Sequence, residues 1–306
     1  MTWRALWCGG AAALALALAP APARAFCRTV ACPPGARCAA DARGCPTGGP
    51  PLFWRTACVG YSFQGDLSAH YPRRALRDAV RRGLAAWVDV ECPGGGRAGI
   101  TFVERADVSC DRVEFNEGGP NANVILFQDD EFEYKSAFNT LARTVVTYDL
   151  ATGEITGADL EINSAYNHFS LDAVDPARTD LQALIAHEAG HFLGLAHTQE
   201  ENEDATMVPF IGPGDAGPRT LSPDDVAGLC AAYPPDAARE RCDPEPWGGA
   251  SSDCGAAPDG CAQGGGRAAG RGAGAFAALA VALAAARRRR PAAASGGAVG
   301  RHERPL

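Results

Sequence analysis

The sequence predicts an α+β domain: a twisted mixed sheet, a first helix packed on it, a second helix bearing two histidines, and a C-terminal helix. Three observations carry that expectation. Short apolar, β-branched runs at Ile100–Val103, Asn123–Phe127, Thr144–Tyr148 and Glu154–Asn163 read as strands. Tyr71–Val90 and Asp180–Phe192 instead repeat apolar residues at helical spacing. Ser222 followed by Pro223 is a helix start, with a capping hydroxyl and a residue suited to the first turn.

Residues 1–25 read as a secretory signal, with Arg4 near the start, an apolar run through Ala19, and Ala23-Arg24-Ala25 as the cleavage site. The mature chain then begins at Phe26. Export favours disulfides, and ten cysteines remain once Cys8 and Cys261 are set aside, an even number consistent with up to five bridges of unassigned connectivity. Four of them fall in residues 26–50, a Gly/Pro/Ala/Arg-rich segment with too little apolar bulk for a core of its own.

From residue 51 the composition is that of a globular domain running to 236. In its first helix Leu76, Val80, Leu84 and Trp87 share one side, and Arg73, Arg74, Arg77, Arg81 and Arg82 lie largely on the other. Five arginines suggest nucleic acid, but the chain carries a formal net charge of −8, so a solvated helix face is the better reading. Asp149–Gly153 is turn-like and sets the third and fourth strands up as a pair.

The second helix carries the chemistry. His187 and His191 are four residues apart, so both imidazoles leave one face a turn apart and can grip one zinc ion, with Glu188 beside the metal rather than on it. Gly194 tolerates the left-handed conformation that ends a helix, and the returning chain lets His197 complete three nitrogens with the fourth position open to water. That is the arrangement of catalytic zinc. Thr179 and Gln182 are placed for a capping box at the start of this helix. Three of the six histidines fall in this eleven-residue string, and Met207, the only methionine besides Met1, follows His197 by ten residues.

The string His187-Glu-Ala-Gly-His-Phe-Leu-Gly-Leu-Ala-His-Thr198 resembles the matrixin branch of the metzincin zinc endopeptidases, with Gly190, Leu193, Gly194 and Leu195 matching and Thr198 replacing the usual serine. Ala158–Asn163 is similar to a matrixin strand, and Arg219–Pro234 to the matrixin C-terminal helix. The resemblance implies one catalytic Zn²⁺ on His187, His191 and His197, Glu188 as general base, Met207 as the apolar floor beneath the histidines, and Pro209 and Phe210 near the pocket after the scissile bond. It implies protein or peptide substrates. The alternative is a catalytically silent zinc-containing surface-binding or adhesion module. The matrixin P-R-C-G-x-P-D latency motif is missing, and Cys27 or Cys32 is better read as a disulfide partner than as a substitute. His70 and His168 lack the H-x-D partner of a structural zinc site. Calcium is compatible with the acids around Asp172, Asp175 and Asp180, but no spacing assigns a site. Tyr233 is a packing residue in this reading.

Residues 237–260 read as a flexible linker. In 261–290, Cys261, an alanine-rich stretch too short for a confident bilayer span, and Arg287–Arg290 resemble the C-terminal sorting tags of myxobacterial secreted proteins, which implies processing and lipid attachment at Cys261 and display on the cell surface; 291–306 is a basic tail. Loss of 1–25 (two Arg) and 262–306 (eight Arg, one Glu) would leave a net charge of −17, with no reason to seek nucleic acid. Nothing in the sequence sets an oligomeric state.

Overall fold

The structure is a computed structural model and describes residues 26–33, 38–134, 137–198, 205–235, 237 and 241–254, together with the backbone of 299–305. The expected signal (1–25), the sorting segment (261–290) and Cys261 lie outside the described residues.

Six strands form one mixed sheet: β1 (Cys58–Phe63), β2 (Thr101–Glu104), β3 (Val124–Gln128), β4 (Ala142–Asp149), β5 (Ile155–Asn163) and β6 (Val299–Pro305), in the spatial order β6-β4-β5-β3-β1-β2. Neighbours from β2 through β1 and β3 to β5 run parallel, β4 is antiparallel to β5, and β6 is antiparallel to β4. Every residue of β1 and β5 is buried, as expected of strands covered on both faces. The four expected strands are present within a few residues of their predicted limits. β1 and β6 are additions.

Helix α1 (Arg73–Ala85) buries Leu76, Ala79, Val80, Gly83 and Leu84. It lies on α2 (Leu181–Phe192) where Gly83 faces Ile185, so closely that a Cβ on Gly83 would come within 2.7 Å of the Ile185 side chain. Trp87 closes this contact from the end of α1 by donating its indole N–H to Ala186 O at 2.7 Å. The arginine face is less solvated than its composition suggests. Arg77 and Arg81 both bond Glu104 of β2, and Arg73 and Arg77 bond Asp107 just after it, so three of the five arginines are held by acids of another element.

The capping box expected at Thr179 and Gln182 does not form, and the N-cap falls one residue later. Asp180 is the N-cap and accepts from Ala183 N at 2.9 Å; Gln182 instead accepts from Arg82 Nε at 3.0 Å, and Thr179 is in a two-residue parallel pairing with Phe169. Asp180 is fully buried and also holds Arg219. Helix α3 (Pro223–Ala232) begins as expected, with Ser222 and Asp225 forming a reciprocal capping box.

All ten expected cysteines are paired: Cys27–Cys45, Cys32–Cys38, Cys58–Cys242, Cys92–Cys230 and Cys110–Cys254. Neither Cys27 nor Cys32 is a free thiol that could cap a metal. The last pairings correct the linker reading. Within 237–260, residues 241–254 are fastened to β1 and to the segment before β3 by two disulfides and by bridges at Ser109–Asp253 and Asn121–Ala250. Asn121 adds a side-chain N–H to Trp247 O at 2.9 Å.

Candidate metal centre

Helix α2 is buried along almost its whole length, and its end is anchored by side chains remote in sequence. Trp54 donates its indole N–H to Phe192 O at 2.8 Å, and Tyr233 its hydroxyl to Leu193 O at 2.8 Å, so Tyr233 is a packing and capping residue as expected. The chain reverses at Gly194, where φ is +85° and a Cβ would lie 2.6 Å from Leu52 O. Leu195 and Ala196 then pair antiparallel with Arg28 and Cys27, which directs His197 back toward the helix.

This geometry converges three histidines. The Nε2 atoms of His187 and His191 are 3.1 Å apart, those of His187 and His197 3.2 Å, and those of His191 and His197 3.1 Å. His187 Nδ1 faces Thr206 O at 2.7 Å and His191 Nδ1 faces Leu195 O at 2.9 Å. A carbonyl oxygen only accepts, so both Nδ1 atoms carry the proton and the two facing Nε2 atoms present lone pairs to each other. Two such lone pairs at 3.1 Å repel unless a cation lies between them. Tetrahedral zinc with ligands at about 2.0–2.1 Å sets them roughly 3.3–3.4 Å apart, close to the spacing here. The residues fit a zinc ion, and the carbonyls on the outer nitrogens fix the ring orientation as outer partners of metal-bound histidine do.

Glu188 is fully buried beside the trio. Its Oε2 accepts from Thr144 Oγ1 on β4 at 2.5 Å, and its Oε1 has no hydrogen-bond partner. Burial pushes its pKa up to about 8, with the Thr144 hydroxyl pulling the other way, and a cation on the histidines would lower it further. An orphaned carboxylate oxygen in a dry site is a place for a proton or a water.

Met207 is buried beneath the helix. A Cβ on Gly190 would lie 2.1 Å from Met207 Sδ and 2.9 Å from Trp87, so glycine at 190 is what lets the methionine touch the helix between His187 and His191. Met207 O accepts from Thr198 N at 2.8 Å. The turn is held from the other side by Asp225, whose carboxylate accepts from Thr206 N at 2.7 Å and Met207 N at 3.1 Å. Neither Thr144 nor Asp225 was a candidate from the sequence. Pro209 and Phe210 follow on the surface, with Phe210 75% exposed.

Among the described residues, the histidine trio is the one cluster of three or more metal-ligating side chains. The acids considered for calcium have other partners: Asp172 meets Arg82, Asp175 meets Arg178 and Asp180 meets Arg219.

The family model for matrixin matches residues 53–234, more than half of the chain and all of the site. The chain belongs to the matrixin family. Matrixins are zinc-dependent metalloproteases, which accords with the tautomers of His187 and His191 and with the mixed sheet and three helices of this matrixin. Protein or peptide substrates follow from the family. No curated protein matches this matrixin significantly. Among its described residues no helix is long and apolar enough to cross a membrane.

Proposed function

We propose that this matrixin is an exported, surface-anchored endopeptidase in which His187, His191 and His197 hold one zinc ion and Glu188 is the general base. The observation that carries the reading is the meeting of three Nε2 atoms within 3.2 Å of one another beside a buried carboxylate with one unpartnered oxygen. Zinc, when bound, supplies a Lewis acid that polarises a carbonyl and acidifies water. The chain's own contribution is proton movement and orientation. Thr144 holds Oε2, which leaves Oε1 to accept a proton from the attacking water and return it to the leaving amine. Met207 and Gly190 keep the floor apolar, and the carbonyls of Thr206 and Leu195 hold the rings.

Export is supported by the five disulfides and by Phe26. Its main-chain nitrogen is 2.9 Å from Asp224 Oδ1, so cleavage after Ala25 would place a new α-ammonium against a carboxylate. Anchoring rests on the sequence resemblance at 261–290.

Glu188→Gln is the decisive test. The amide keeps the size of the side chain and its hydrogen bonding but cannot accept a proton at neutral pH. Zinc content measured by atomic absorption should stay at one per chain while peptide cleavage falls by about 10²–10⁴-fold. His191→Ala should lose both. A Gln variant as active as the parent defeats the assignment of the base. Zinc binding without cleavage by the parent chain favours the silent binding module.

A further inference from the structure

We propose that Val299–Pro305 is an intramolecular competitor for the edge of β4, the backbone rail along which an extended peptide would reach the histidine trio. The proposal rests on the peptidase reading of the site and adds to it an occupant supplied by the chain itself.

β4 is the outermost strand that the catalytic domain itself contributes to the sheet on this side. Left bare, its outer edge would present alternate N–H and C=O groups with no partner, a template for any extended chain. In the structure that edge is taken. β6 pairs with it in antiparallel register over seven consecutive positions, from Val299 opposite Asp149 to Pro305 opposite Arg143.

The location of the pairing matters more than its length. Thr144 sits on β4, and its hydroxyl holds the carboxylate of Glu188. The residue opposite Thr144 in β6 is Arg304, so the added backbone runs about one strand spacing, roughly 4.8 Å, from the residue that orients the candidate base. A peptide presenting its scissile carbonyl to this site must be extended, and an exposed strand edge is the surface that binds extended peptides through main-chain hydrogen bonds. Each N–H and C=O of that edge serves one strand at a time. β6 and a substrate lying on β4 therefore exclude each other. A strand tethered in the same molecule competes at an effective concentration on the order of millimolar. A single cut between Cys254 and Val299 would turn the tethered strand into a free peptide and remove that advantage.

The test uses the full chain and a variant carrying both Arg301→Pro and His302→Pro. Successive N–H groups of a strand point to opposite sides, so one of two consecutive prolines must remove a donor facing β4. A fluorescein-labelled synthetic peptide of sequence VGRHERP is then titrated into each protein. We expect it to bind the proline variant and to bind the full chain at least ten-fold more weakly. Hydrogen exchange should show the outward-facing amides of β4 protected in the full chain and released in the variant. Cleavage of a peptide substrate should proceed in the variant with an apparent KM at least five-fold lower and kcat unchanged, and the added peptide should inhibit competitively. Equal peptide binding by both proteins, or β4 amides that exchange alike in both, overturns the proposal. Protected amides with an unchanged KM also overturn it, because β6 would then be a structural strand and not a competitor. If neither protein cleaves anything, the peptidase reading fails, while labelled-peptide binding still decides who holds the edge.

Discussion

Replacing Thr144 by valine removes one hydroxyl and leaves a β-branched side chain of the same shape on β4. Thr144 and Glu188 are both fully buried, and the Thr144 hydroxyl donates to Glu188 Oε2 at 2.5 Å. Oε1 has no partner, so the variant leaves the carboxylate without a side-chain hydrogen bond. A hydrogen bond to a charged group contributes about 1.5–3 kcal/mol. If that energy serves to hold Oε1 toward the attacking water, its loss lowers kcat by about 10–100-fold at roughly 1.4 kcal/mol per decade. The Thr144 hydroxyl bonds Glu188 and none of the three histidines, so zinc content should not change. The assay is steady-state cleavage of a fluorogenic peptide alongside zinc quantification, for Thr144→Val and Thr144→Ser. Serine keeps the hydroxyl and should recover most of the lost rate. A valine variant with wild-type kcat, or a serine variant as impaired as valine, would show that Thr144 fills space and does not orient the proposed base.

Two further outcomes follow from the fold. Gly194→Ala forces a left-handed φ of +85° on a residue with a Cβ and places that atom 2.6 Å from Leu52 O. The conformational cost of about 1–2 kcal/mol plus the backbone contact should total about 2–4 kcal/mol, read as a lower thermal midpoint, with zinc bound less tightly as His197 shifts; an unchanged midpoint would refute the turn argument. Hydrogen bonds from Arg81 and then Arg77 hold the Glu104 carboxyl down to about 2, against an ordinary value of 4.5. A depressed folded pKa stabilises above pH 4.5 and loses that contribution as pH falls toward 2. With the side chain 24% exposed, solvent screening trims the contribution to about 1–2 kcal/mol. Wild type should exceed Glu104→Gln by that margin at pH 7 in urea unfolding, the gap narrowing as pH falls from 4.5 toward 2; a gap independent of pH would count against the ion-pair account.

The histidine trio was legible because its logic is local. Spacing of four on a helix and a glycine three residues before His197 are both written within eleven positions. Thr144 and Asp225 were not, because each acts across the fold, 44 residues from Glu188 and 18 from Met207 respectively. β1 escaped for a different reason: Cys58–Phe63 is buried on both faces, includes Gly60 and Ser62, and so shows no alternation to read. The arginines of α1 looked solvated because their partners Glu104 and Asp107 lie on another element. Residues 241–254 have linker composition, and their only hint of order was Cys242 and Cys254, whose partners no sequence reveals.

The long disulfides give the molecule a property that its stability does not measure. Cys58–Cys242 spans 184 residues and Cys110–Cys254 spans 144, and the two loops overlap. Any one peptide bond hydrolysed between Cys58 and Cys254 therefore lies inside at least one covalent ring, and the halves stay joined. In the exported setting proposed above, such a chain meets neighbouring proteases and its own copies. Here a single nick produces a two-chain molecule of unchanged mass plus one water, which migrates as fragments on a gel only after reduction. Damage that would dismember an unbridged chain becomes a silent edit, and turnover requires a second cut or a change in redox environment.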